Sequence, residues 1–146
     1  MQIRYGFIIL LFLISIFQIK AEENVLDNIK QIMKNEKLSP QEKKGSLKEY
    51  FSKLKFEDIV FAGEELAREM GNTWYKDDAY AGIMGMIIYE YCKVHKIDFR
   101  IILDEIKNKK RSVAWRDLMV RVGSEKIRTE EISDDLKKQY FKTVKK

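Results

Sequence analysis

The sequence predicts an all-α fold of about seven short amphipathic helices packed as antiparallel hairpins, arranged either as a small solenoid or as an orthogonal bundle. Three observations carry that reading. Apolar residues recur at i, i+3, i+4 and i+7 along almost the whole chain, and the period-two alternation of half-buried strands is missing. Capping and stop signals punctuate the apolar stripes at intervals that suit helices of roughly 10–18 residues. A single proline in 146 residues leaves long stretches free to coil.

The opening segment, MQIRYGFIILLFLISIFQIKAEEN, belongs to a different class. Arg4 precedes an apolar run from Phe7 to Phe17 that only Ser15 interrupts. Such a run falls short of the roughly 20 residues that cross a bilayer as a helix, and it has the size of a secretory signal's apolar section. Ala21 is the small residue after which cleavage is expected. Residues 1–21 therefore read as a cleavable signal peptide and 22–146 as a single helical domain, exported to a periplasm or secreted. Retained, the stretch from Tyr5 to Ile19 would make a short anchor for a membrane-associated subunit.

Without Arg4 and Lys20, 26 basic residues face 23 acidic ones, a net charge of +3, of which Lys145 and Lys146 supply two. A balance so mild and so evenly mixed argues against nucleic acid as a partner. Cys92 is the only cysteine. An exported domain with no internal disulfide must hold together by packing.

The elements follow in order. Val25, Ile29, Ile32 and Met33 make the first stripe. In Leu38-Ser39-Pro40-Gln41-Glu42, Ser39 is a helix cap, Pro40 suits the first helical position and Glu42 can reach back to the cap's N–H. Leu47, Tyr50, Phe51 and Leu54 continue that second helix, with Gly45 a weak point worth ~1 kcal/mol. The third helix keeps Phe56, Ile59, Val60, Gly63, Leu66, Ala67 and Met70 on one face, with Glu64, Glu65 and Glu69 on the solvent side, and ends at Gly71-Asn72. Asp77 or Asp78 caps a fourth helix holding Ala79 to Ile88, apolar around its circumference and therefore expected to be buried; Ala81 and Gly85 there permit close helix contact. Asp98 starts the fifth, with Phe99, Ile102, Leu103 and Ile106 inward. Lys107 to Arg111 is a polar connector. Ser112 caps the sixth, whose Trp115, Leu118, Met119 and Val122 face the core before Gly123 stops it. Ile132, Leu136, Tyr140 and Val144 mark the last.

The segment ILDEIKNKKRSVAWRDLMVRVGSE joins a helix, a polar turn and a helix carrying Trp115-Arg116-Asp117-Leu118-Met119-Val120-Arg121-Val122-Gly123. It resembles HEAT-like helical-repeat proteins, whose second helices often read as an arginine-bearing amphipathic run ending in glycine. The likeness covers residues 98–125 and, more faintly, 56–96. It implies a concave surface that binds a partner, and it brings no catalytic residues with it.

Few residues here suggest chemistry. Cys92 and His95 are three apart and could share a face, but a zinc or copper site needs more ligands than Glu90, Asp98 or Asp104 readily add. The plain reading is a small buried thiol and a histidine near a helix C-terminus. No metal and no cofactor is expected. As a nucleophile pair, Cys92 and His95 would also need an orienting third group. Glu90, between Tyr89 and Tyr91, is the carboxylate that a small exported hydrolase would use as its acid; the plain alternative is an ion pair with Lys93 or Lys96. Trp74 and Tyr75 precede the fourth helix, as a hydrophobic staple or as an exposed aromatic contact.

The surface expected to bind is the basic turn, Lys107, Lys109, Lys110 and Arg111, with Arg116 and Arg128 near it. Asp117 and Arg121, four apart, are expected to pair. The expected partner is another protein, with an anionic glycan or lipid surface as the alternatives. Binding without catalysis is the expected function, and the hydrolase and the anchored subunit are its rivals.

Overall fold

Four of the helices start where a side chain meets their free N–H groups. The computed structural model describes residues 25–70 and 78–145, and every regular element among them is helical. Residues 25–34 form α1. Helix α2 runs Pro40–Phe51, α3 Phe56–Met70, α4 Asp78–Val94, α5 Phe99–Lys107, α6 Val113–Thr129 and α7 Asp134–Val144. The chain is all-α, as its periodicity predicts.

Ser39 caps α2 through a reciprocal pair. Its Oγ accepts from the Glu42 N–H at 3.3 Å, and Glu42 Oε2 accepts from the Ser39 N–H at 2.8 Å. Hydrogen bonds from the Ser39 hydroxyl first, and its backbone second, hold the Glu42 carboxyl below the usual range. Asp98, Ser112 and Ser133 cap α5, α6 and α7 in the same sense, accepting from Arg100, Trp115 and Leu136. Helix α4 ends in a Schellman arrangement: Lys96 N–H donates to Lys93 O at 3.2 Å and Ile97 N–H to Cys92 O at 2.9 Å. Lys96 takes φ 51°, the left-handed region where a Cβ is strained.

The buried stripes of α2, α3, α4, α5, α6 and α7 merge into one apolar cluster with α1. Helix α6 is its centre, packed against α3, α4, α5 and α7, while α2 lies on α4. Trp115, Leu118, Met119 and Val122 of α6 are buried as their spacing predicts, and so are Phe99, Ile102, Leu103 and Ile106 of α5. Glycine lets two neighbours approach α6 closely. A Cβ on Gly63 of α3 would lie 2.4 Å from the Trp115 ring, and one on Gly123 would lie 2.8 Å from the Tyr140 ring of α7. A Cβ on Gly85 of α4 would meet Leu118 only at ordinary van der Waals distance, 3.6 Å.

Four sequence expectations are corrected. Gly123 does not stop α6, which continues to Thr129; its role is to admit Tyr140, whose hydroxyl donates to Val120 O at 2.8 Å. Leu54 lies in the turn after α2, which ends at Phe51. Helix α4 is not buried all round, for Met86 is 49 % exposed. Glu64 does not simply face solvent: its carboxylate accepts the Ser112 N–H at 2.9 and 3.1 Å, placing a negative charge at the start of α6. The expected caps at Asp77 and stop at Gly71-Asn72 lie outside the described residues.

These contacts set stability. Gly63→Ala should cost about 1–3 kcal/mol by overpacking against Trp115 and lower the melting temperature by several degrees. Gly45 has open space around it, so Gly45→Ala should raise stability by ~0.5–1 kcal/mol. Lys96→Gly should add about 0.5–1 kcal/mol by relieving the left-handed backbone. Thermal melts followed by circular dichroism measure all three, and a neutral Gly63→Ala would contradict the tight α3–α6 contact.

Candidate functional site

The basic turn is divided by one buried indole. Trp115 is 0 % exposed, and its Nε1–H must find an acceptor. Glu105 of α5 supplies it at 2.8 Å. The same carboxylate takes the Arg111 guanidinium in a fork, Nε at 2.9 Å and Nη2 at 3.2 Å. Arg111 is therefore turned back against its own hairpin and is withdrawn from the expected binding surface. Asn108 tightens the turn, accepting the Lys110 N–H on its side chain and the Arg111 N–H on its carbonyl.

Lys107, Lys109 and Arg116 remain together. They line a groove of about 730 Å³ whose other wall is α7, through Gln139, Lys142 and Thr143, with Ile106 also lining it. No acidic or aromatic side chain is among the described residues that line it. Among the described residues, none of the four cations forms an ion pair. The Arg116 Nε is shielded from solvent and meets no acceptor among the described residues. Gln139 donates to Asp135 at 2.9 Å and Thr143 to Gln139 O at 2.8 Å, which fixes the polar wall. The three lysines are exposed and Arg116 is half-buried, so the groove presents a positive potential that would favour an anion.

Lys110 falls elsewhere, on a cleft between α3 and α5 that also holds Glu57, Glu64 and Glu65. Arg128 is satisfied by Glu125 at 2.6 Å. Asp117 and Arg121 form no ion pair within 4.0 Å among the described residues. Trp74 and Tyr75 lie outside the described residues. Lys142, Gln139 and Thr143 were the members that charge runs could not reveal. Their i, i+3, i+4 spacing puts them on one face of α7, but which face meets the turn depends on tertiary packing.

The residues with catalytic potential are dispersed. Glu90 pairs with Lys48 of α2 at 2.6 Å, not with Lys93 or Lys96; the two side chains are 30 % and 58 % exposed. Such a pair contributes at most about 1 kcal/mol. Glu90 and His95 share a cleft of about 50 Å³ with Phe51, Ile87, Tyr91 and Val94. That is room for a few waters and well below the roughly 300–1,000 Å³ of ligand sites. His95 is exposed and stacks on Tyr91, ring centroids 4.1 Å apart, while Cys92 is fully buried. Among the described residues no three His, Cys, Asp or Glu side chains converge on a common metal position.

Burial pushes the Cys92 thiol up to about 12; the Lys126 ammonium opposes this and Glu130 adds to it. Lys126 is itself only 2 % exposed and is held by Glu130 at 2.8 Å. Buried tyrosines follow the same rule, burial raising both Tyr91 and Tyr140. The Tyr91 hydroxyl donates to Leu54 O at 2.8 Å, a bond that ties α4 to the turn after α2.

The chain matches no protein-family model, no curated protein and no solved structure.

A thiol this buried is protonated and sheltered at pH 8, so it should not react with a disulfide reagent until the protein unfolds. Its neutral form contributes stability that is complete below its ordinary value of 9.0 and is lost as pH rises toward about 12. One thiol titrating in denaturant and none in buffer is the expected count. Rapid labelling of the native protein would place Cys92 at the surface.

Proposed function

We propose that this is an exported protein that works by binding a negatively charged partner and catalyses nothing. The observation that carries the reading is the groove between the α5–α6 turn and α7. Three cations at the α5–α6 turn and one from α7 line it, without a carboxylate among the described residues that do so. A hydrolase reading draws no comparable support, because Glu90 is engaged by Lys48 and its cleft is too small for a sugar or a peptide.

Export rests on the sequence pattern of residues 1–21, which lie outside the described part of the chain. No helix among the described residues is long and apolar enough to cross a membrane. A helical-repeat construction is supported by the α5–α6 hairpin, whereas the convergence of α3, α4, α5 and α7 on α6 favours the orthogonal-bundle alternative.

Salt-dependent retention on an anionic resin tests the binding reading. Lys109→Glu with Lys142→Glu should elute at distinctly lower salt than a charge-matched Lys34→Glu with Lys37→Glu control, whose positions are exposed and outside the groove. Equal elution of the two variants would remove the groove from consideration. For export, the first residue of the secreted protein should be Glu22 by mass spectrometry, and an intact Met1 in the membrane fraction would favour an anchored subunit.

A further inference from the structure

The electrostatics of this groove say more than that its ligand is negative. We propose that it is a site for a phosphate-type oxyanion, two or more charges carried on a few oxygen atoms. The inference rests on the binding reading above and narrows it to a ligand chemistry.

Three features lead there. The first is charge density. Lys107, Lys109, Arg116 and Lys142 surround one groove of about 730 Å³ with no acid among its described lining residues. A single carboxylate would leave most of that charge uncompensated, whereas a phosphate or a pyrophosphate neutralises two or more positive charges within a few ångströms. The second is the donor set. Three ammonium groups supply freely rotating point-charge donors, and the guanidinium supplies a planar fork; together these suit a tetrahedral oxyanion. Arg116 Nε is a charged donor out of solvent with no acceptor among the described residues, and leaving such a group unmet is costly. An oxyanion in the groove is the kind of acceptor it lacks.

The third feature is what the lining omits. An acidic peptide would bring one carboxylate every ~3.5 Å of extended chain and would need apolar pockets for its other side chains. An anionic glycan would bring sugar faces that stack on aromatic rings. Ile106 is the one apolar residue among the described lining, and no aromatic is there. The groove reads charge and little else, so the phosphate group itself is the recognised unit. A soluble phosphorylated compound and a phospholipid headgroup both present it.

Calorimetric titration of the purified protein with sodium pyrophosphate tests this, with phosphatidylglycerol vesicles as a second arm. Pyrophosphate binding that weakens about tenfold or more in Lys109→Glu/Lys142→Glu is expected. Co-sedimentation with the vesicles that is lost in the same variant would assign the phosphate to a headgroup; pyrophosphate binding without co-sedimentation would assign it to a soluble compound.

Arg116→Met provides the readout that a structural role would not move. It keeps most of the stem's packing while removing the unmet donor, so it should abolish pyrophosphate binding without lowering the melting temperature of the free protein. A lower melting temperature with pyrophosphate binding intact would make Arg116 a structural residue and overturn the assignment. Binding to polyglutamate but not to pyrophosphate or vesicles would replace the phosphate with an acidic protein and leave the binding reading standing. If Lys109→Glu/Lys142→Glu alters the response to none of these anions, both the phosphate and the groove fall.

Discussion

A wholly buried tryptophan is the constraint on which the rest of this structure depends. Its ring needs a neighbour without a side chain, and Gly63 of α3 provides one. Its N–H needs an acceptor, and Glu105 of α5 provides that. Meeting both demands locks three helices in register around one residue of α6. The carboxylate that serves the indole also folds Arg111 inward, and Glu64 of α3 closes the turn from the other side through the Ser112 N–H. The turn is then held by these bonds, and its lysines are left exposed.

Much of this was legible before any coordinates, and the reasons are local. The Ser39-Pro40-Gln41-Glu42 cap and the Asp98 and Ser112 starts depend on neighbours within four residues, so sequence reading places them well, whereas the Ser133 start of α7 was not read from the sequence. The inward stripes of α5 and α6 are equally local consequences of a 3.6-residue period. Failures came where a distant element decided the outcome. Gly123 has the composition of a stop, yet Tyr140 from α7 makes it a close contact inside the helix. Glu64 sits on the polar side of its own helix, yet its partner is a backbone N–H 48 residues away. Glu90 chose Lys48 of α2 over the lysines of its own segment for the same reason.

The proposed binding surface shows the same division. The cluster at 107–111 was visible as a run of charge, but a run does not say which members face outward. Arg111 and Lys110 left it, and Lys142 joined from 31 positions beyond Arg111. Electrostatics at the two clefts of this hairpin have also separated. The α3–α5 side sets Glu57, Glu64, Glu65 and Glu105 against Lys110 and Arg111, while every charged residue among the described lining of the α7 side is a cation. A mild net charge therefore coexists with a local grouping of cations.

The way the helices are joined also shapes how the chain arrives at this structure. Helices α5 and α6 are linked by residues 108–112 alone, so closing them costs little chain entropy. The bonds from α3 to α6 and from α4 to α6 join positions 48 and 40 residues apart. The indole and its carboxylate, separated by ten residues, can meet early and leave α6 with an exposed apolar flank until the slower, long-range neighbours dock. During synthesis, the residues that will cover that flank have already emerged, because α3 and α4 precede it in the chain.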